Sequence, residues 1–136
     1  MVIAGDMNMP RGIVDAHPAL RTIPECLSLH RALFNRMFFS EKDNKRDGAY
    51  IGDERAAVKG RCLGAVDVFR AKYGMEKRYT CYSHRKVWGD GCTRVDMILV
   101  SGQLWEDGRV IDTGILNTLM DRGVSDHVPI WAEIAL

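Results

Sequence analysis

Thr93-Arg94-Val95-Asp96-Met97-Ile98-Leu99-Val100 is the stretch that most restricts what this chain can fold into. Side chains alternate across a strand, so Val95, Met97 and Leu99 share one face and Arg94, Asp96 and Ile98 the other. A strand this apolar has to be covered, which calls for neighbouring strands and helices. A carboxylate at Asp96 needs a partner in that setting, because an unpaired buried charge is costly. Arg94, two residues away, is the structural candidate for it.

Other segments supply those neighbours. Val2-Ile3-Ala4 reads as a short buried strand that ends in a turn at Gly5-Asp6. Residues 7–24 hold Pro10, Gly12, Pro18 and Pro24 and read mainly as loop. Leu29, Leu33, Phe34 and Met37 fit a short helix within Glu25 to Phe39, and the polar run from Ser40 to Gly48 reads as a mobile loop. Asp53 can cap a helix through about Leu63. Val66 to Arg70 reads as helix or turn ending near Gly74, Tyr79 to Ser83 as a strand, and Arg109 to Thr113 and Val128 to Leu136 as further strands. Strands mixed with two or three short helices give an α/β expectation.

The length of 136 residues allows one domain at most. No apolar run approaches membrane-spanning length and no signal-peptide pattern opens the chain, so no membrane partner and a soluble, intracellular setting are expected. Cysteines at 26, 62, 81 and 92 form no Cys-x-x-Cys pair, which argues for reduced thiols over a structural zinc site or a disulfide framework. Net charge is +1, but between Lys59 and Arg94 nine Lys or Arg stand against three acids. A basic band on a neutral chain suits a polyanion, and equally describes a solvated charged face.

Four segments carry potential chemistry. Gly5-Asp6-Met7-Asn8 projects two polar side chains from a strand end, where Asp6 and Asn8 can polarise and hold a water or a phosphate oxygen; Asx residues after a strand also simply form turns. Arg94-Val95-Asp96 places a carboxylate on the apolar strand. In Ser125-Asp126-His127 the acid and the imidazole point to opposite faces if extended, so they would take different partners. A cationic His127 can contact a phosphate oxygen with Asp96 keeping it charged, and Asp126 can face a divalent ion; a surface polar pair is the plainer alternative. Tyr79 to Lys86 interleaves aromatic and basic side chains, with Tyr82, Arg85 and Arg94 as candidate contacts to bases and phosphates, or as a half-buried strand followed by a charged loop.

Taken in chain order, Gly5-Asp6-Met7-Asn8, Arg78 to Ser83, Arg94 to Ser101 and Ser125 to Ile130 resemble the successive motifs of the endonuclease/exonuclease/phosphatase superfamily, and within it the exonuclease III-like AP endonucleases. Val66 to Arg70 and the segment from about 17 to 50 look nearest to the eukaryotic second-type branch. The resemblance implies half of a four-layer α-β-β-α sandwich with a mixed, mostly antiparallel sheet, residues 1–136 being the C-terminal half of the domain. It implies phosphodiester hydrolysis with Mg²⁺ or Mn²⁺ in DNA repair, hence DNA as partner and a nuclear setting. By position, Asp6 would orient or deprotonate the attacking water and Asn8 would hold the water or phosphate. His127 would stabilise developing charge, Asp96 would orient His127, and Asp126 would hold metal.

Two departures bear on those expectations. The domain of that family is about twice as long, and its other half carries a metal-binding Glu and an active-site Tyr. The chain is therefore expected to be inactive without an N-terminal half. Cys81 and Thr93 stand where the major-type AP endonucleases carry a Phe and a Trp around the abasic sugar, which brings 3′ end trimming level with abasic-site incision. A phosphatase of the same superfamily with an inositol phosphate or lipid substrate, and a non-catalytic module binding nucleic acid or protein, are the alternatives; the former typically shows a Pro- and Trp-containing motif before its Asp, and residues 79–94 contain no Pro.

Overall fold

A computed structural model of the chain describes residues 1–20, 28–52 and 60–135. It is a mixed α/β protein whose strand pairs are antiparallel. Strand β1 spans Val2–Asp6, α1 Leu29–Phe38, α2 Glu41–Arg46, β2 Ala65–Asp67 and α3 Val68–Tyr73. They are followed by β3 (Cys81–Tyr82), β4 (Cys92–Thr93), β5 (Asp96–Ser101), α4 (Gly102–Glu106), β6 (Val110–Ile115), α5 (Leu119–Arg122) and β7 (Ile130–Ile134). The main sheet has the order β1-β5-β2, with β3-β4 and β6-β7 as separate pairs.

The alternation seen in the sequence holds along β5, and both of its faces are used. Met97 and Leu99 pack with Phe39, Ala65 and the α1 side chains Phe34 and Phe38. Ile98 and Val100 face the other way, with Val66 of β2 beside them, towards Val110, Ala132 and Ile134 of the β6-β7 hairpin. Helix α1 therefore covers one face of the sheet and the hairpin the other. Leu99 and Val100 lose all contact with water, and burying side chains of this size contributes roughly 1.5–3 kcal/mol each.

Three sequence expectations change. Gly5 and Asp6 belong to β1, because β5 continues to pair with them through Met97 and Asp96. The Ser40 to Gly48 segment is a helix, not a mobile loop: the Ser40 hydroxyl accepts from the Asp43 N–H, acids stand in its first turn and Lys45 and Arg46 in its last. Its polar side chains point inward as well as outward, for Asn44 and Asp47 are buried. Val66 to Arg70 divides between the end of β2 and the start of α3, with Asp67 as the N-cap accepting from the Arg70 N–H and Gly74 (φ 58°) closing the helix. The helix expected from Asp53 lies largely outside the described residues, as do 21–24 of the expected loop and Cys26.

What joins these pieces is a buried set of ions. Arg94 is fully buried; its Nε–H donates to Asp15 at 2.7 Å, and two further N–H groups hold both oxygens of Asp67 at 2.7 and 3.3 Å. Arg70 also binds Asp15. Arg11 reaches Asp47 at 2.5 Å and Asn44 at 3.0 Å, stands 3.5 Å from Asp67, and stacks on Phe39. The expected pairing of Arg94 with Asp96 does not form, because Arg94 turns to Asp15 and Asp67 instead. A close approach supports the Arg11 end: a side chain on Gly12 would meet the Gly48 carbonyl oxygen at 2.2 Å.

Burial alone would push the Asp15 carboxyl up, but the guanidiniums of Arg94 and Arg70 hold it down to about 2. A carboxylate whose folded pKa is depressed stabilises the fold above its unfolded value and loses that contribution as pH falls through the folded one. Urea unfolding should therefore show stability dropping between about pH 4 and pH 2. Asp15→Asn should cost about 3–5 kcal/mol at neutral pH, as expected when a buried pair loses one partner, and should flatten that acid limb. A variant within about 0.5 kcal/mol of wild type, the range of ordinary surface changes, would show that the network holds nothing together.

Candidate functional site

The β1-β5 register brings the first two site residues together. In this antiparallel pair Asp6 lies directly opposite Asp96, so two carboxylates separated by 90 positions share one sheet edge. Like charges in that arrangement repel, and Asp96 takes a partner of its own: His127 Nδ1–H donates to Asp96 Oδ2 at 2.7 Å. Ligand atoms of Asp6, Asp96 and His127 all lie within 4.8 Å of one another. Asp6 also accepts the backbone N–H of Asn8 at 2.7 Å, and Asn8 takes φ 50°, a left-handed conformation that Asn tolerates better than most residues. The turn-forming role of the Asx pair is thus present, and it leaves both side chains exposed at the sheet edge.

His127 arrives from a second small assembly of strands. Thr80 N–H donates to the Thr93 carbonyl, Tyr82 N–H to the Asp126 carbonyl, and Val128 N–H to the Thr80 carbonyl. Cys81 consequently sits between Thr93 on one side and His127 on the other. The Thr80 hydroxyl accepts from the N–H groups of both Val95 and Asp96, which ties this assembly to the head of β5. Ser125 accepts the His127 N–H at 3.0 Å and shapes the turn before it. Asp126 is exposed, its Oδ1 lying 4.0 Å from His127 Nε2. The two ring nitrogens thus face different carboxylates, Asp96 and Asp126, so the acid and the imidazole of this motif lie beside each other and not on opposite faces as an extended strand would place them.

Partial burial pulls the His127 pKa down, but the hydrogen bond to Asp96 and the charges of Asp96, Asp126 and Asp6 outweigh it, and the net shift is upward. The imidazolium is therefore held more tightly than on a free histidine. Cys81 moves the opposite way in reactivity: burial first, then Asp126, Asp96 and Asp6, raise its thiol pKa.

Two of the expected substrate contacts are corrected. Arg94 is buried, with its fork committed to Asp15 and Asp67, so it stands out of a substrate's reach and supports β5 from behind. Tyr82 is 3% exposed, stacks on Trp88 at 3.9 Å, and gives its hydroxyl to Asn117; burial lifts that phenol to about 12. Its ring is part of the core formed with Phe69, Cys92, Ile115 and Val128. Arg85 is exposed beside Lys86 on the turn after β3. Of the basic band, Arg70 and Arg94 are interior, Lys72 pairs with Asp112 and Arg78 with Glu76, which leaves Arg61, Lys77, Arg85 and Lys86 among the described exposed cations.

Resemblance set Cys81 beside a sugar pocket, but sequence reasoning did not place it next to His127. Its signal was the strand pattern from Tyr79 to Ser83, but which neighbour it faces depends on pairing with a segment 46 positions away. No known protein family matches the chain, and no curated protein matches it.

The geometry predicts that ¹H–¹⁵N NMR titration of the imidazoles will give His127 a pKa above the ordinary histidine value of about 6.5. Asp96→Asn should lower it, since the carboxylate supplies both the hydrogen bond and the nearest negative charge. A His127 titration unmoved by Asp96→Asn would contradict the pairing.

Proposed function

We propose that this chain is the C-terminal half of a divalent-metal-dependent phosphodiesterase domain that acts on DNA. Its sheet would be half of a four-layer α-β-β-α sandwich of the exonuclease III-like kind. The observation that carries the reading is the Asp6–Asp96–His127 arrangement. A carboxylate open to water lies opposite a second carboxylate that is spent on orienting a cationic imidazole. Phosphoryl transfer asks for those parts, a group to position and deprotonate water and fixed positive charge where the phosphorus gains oxygen charge.

In that chemistry Asp6 takes a proton from the attacking water as its oxygen bonds to phosphorus, and the ester P–O bond to the leaving strand breaks. Asn8, exposed beside it, holds the water or a non-bridging phosphate oxygen. His127, kept protonated and aimed by Asp96, donates to the oxygen that accumulates charge. The exposed oxygens of Asp126 and Asp6 are the hard donors that Mg²⁺ or Mn²⁺ prefers, and such an ion would supply Lewis-acid charge stabilisation there. Arg85 and Lys86, on an exposed turn after β3, are placed to meet phosphates of the strand.

β1 pairs only with β5 among the described residues and is exposed along most of its length. An open edge beside the site is where a partner half-domain, bearing the further metal ligand that the resemblance implies, would extend the sheet. The same edge accounts for inactivity of the chain by itself in this reading.

The test is an assay of the chain alone and joined to an N-terminal half-domain of the exonuclease III-like kind, on abasic and 3′-blocked duplex DNA with Mg²⁺. The joined protein should cleave, and Asp6→Asn or His127→Ala should lower kcat by at least about 100-fold while circular dichroism shows each variant folded. Intact DNA alongside hydrolysis of a soluble phosphomonoester would replace the nuclease reading with that of a phosphatase. Arg85→Ala should weaken DNA binding on any sequence and reduce the slope of log affinity against log salt by about 1; an unaltered slope would remove Arg85 from the interface.

A further inference from the structure

Cys81 has no part in the proposed hydrolysis, yet it lies in the middle of the site. Its backbone pairs with that of His127, which sets their side chains next to each other on one face. The thiol of Cys81, a carboxylate oxygen of Asp126 and a ring nitrogen of His127 all lie within 4.8 Å of one another. Sulfur, imidazole nitrogen and carboxylate oxygen are the three donor types of protein zinc sites, and tetrahedral Zn²⁺ with bonds of about 2.0–2.3 Å needs its ligands roughly 3.5 Å apart. Three protein ligands and one open position are the composition of an accessible site.

We infer that Cys81, Asp126 and His127 form a binding site for a thiophilic divalent cation, Zn²⁺ above all, distinct in donor chemistry from the Mg²⁺ or Mn²⁺ of hydrolysis. The outer shell is already in place. His127 Nδ1–H is bound to Asp96, the carboxylate-imidazole arrangement that fixes tautomer and ring orientation in metal-ligating histidines. That bond leaves Nε2, on the side of Asp126, as the coordinating nitrogen. Mg²⁺ gains nothing from a thiolate, whereas Zn²⁺ binds it strongly, so the two ions sort by donor type. The other described cysteines are placed differently: Cys92 is fully buried with its Sγ on the Gly89 carbonyl, and Cys62 lies by Arg36 and Phe39. With Nε2 on zinc, His127 is withheld from phosphate, so zinc would inhibit the nuclease; that consequence rests on the function proposed above, and the binding does not.

Cobalt is the probe, because a Co²⁺–thiolate bond absorbs in the near ultraviolet. Titration of the reduced full chain with Co²⁺ should give this charge-transfer band, saturating at about one ion per chain for a single site, and Zn²⁺ should bleach it stoichiometrically. Cys81→Ser and His127→Gln should abolish the band, whereas Cys62→Ser and Cys26→Ser keep it, with circular dichroism confirming that each variant is folded. Asp96→Asn removes no ligand and should weaken zinc binding by about 10- to 100-fold. A band that survives in Cys81→Ser, or a wild-type chain that gives none, would overturn the site, whatever the outcome of the DNA assay.

Discussion

Arg94 lies at the point where three separate parts of the chain meet. Its guanidinium binds Asp15 from the loop after β1 and Asp67 from the β2-α3 junction, while its own backbone leads into β5 and its N–H donates to the Asp15 carbonyl. Arg70 and Arg11 extend the same contacts to α3, α1 and α2. An isolated ion in this position would be driven out by its desolvation cost; three guanidiniums and three carboxylates, supported by Asn35 and Asn44, satisfy one another in place. A site that needs Asp6, Asp96 and His127 at fixed separations is built directly on that base, because β5 carries Asp96 and the register of β1 against β5 decides where Asp6 falls.

The local parts of this arrangement are legible in the sequence. The alternation from Val95 to Leu99 gives β5 and its faces, and the apolar spacing before Phe39 gives α1. Gly5 to Asn8 and Ser125 to His127 mark the residues that the structure gathers. What is not legible depends on distant pairing. The Ser40 to Gly48 run looks like solvent-exposed loop because its polar groups find partners at Arg11, 33 and 36 positions away. Arg94 looks like a ligand for phosphate or for Asp96 because nothing local shows that Asp15 and Asp67 will enclose it. Tyr82 looks like a stacking platform, and does stack, but on Trp88 inside the protein.

The same distinction applies to the chemistry. Asp96 orienting His127 is an expectation carried by resemblance and present as a 2.7 Å contact. Asp6 facing Asp96 across the sheet follows only once the register is known: two carboxylates in opposition favour a cation beside them, whether imidazolium or metal. Cys81 enters by the same logic of pairing, and brings a soft donor into a site otherwise made of oxygen and nitrogen.

The central claim is that the sheet edge at Asp6 and Asp96, with Asp126 and His127 beside it, receives a hard divalent ion. Paramagnetic broadening by Mn²⁺ tests it most directly, since the effect reports nearness to the ion even when binding is weak. Substoichiometric Mn²⁺ added to the ¹⁵N-labelled chain should broaden the amide signals of Asp6, Asn8, Asp96, Asp126 and His127 first, and excess Mg²⁺ should restore them. Broadening centred on another acidic group such as Asp43, or spread evenly over the surface, would contradict the account.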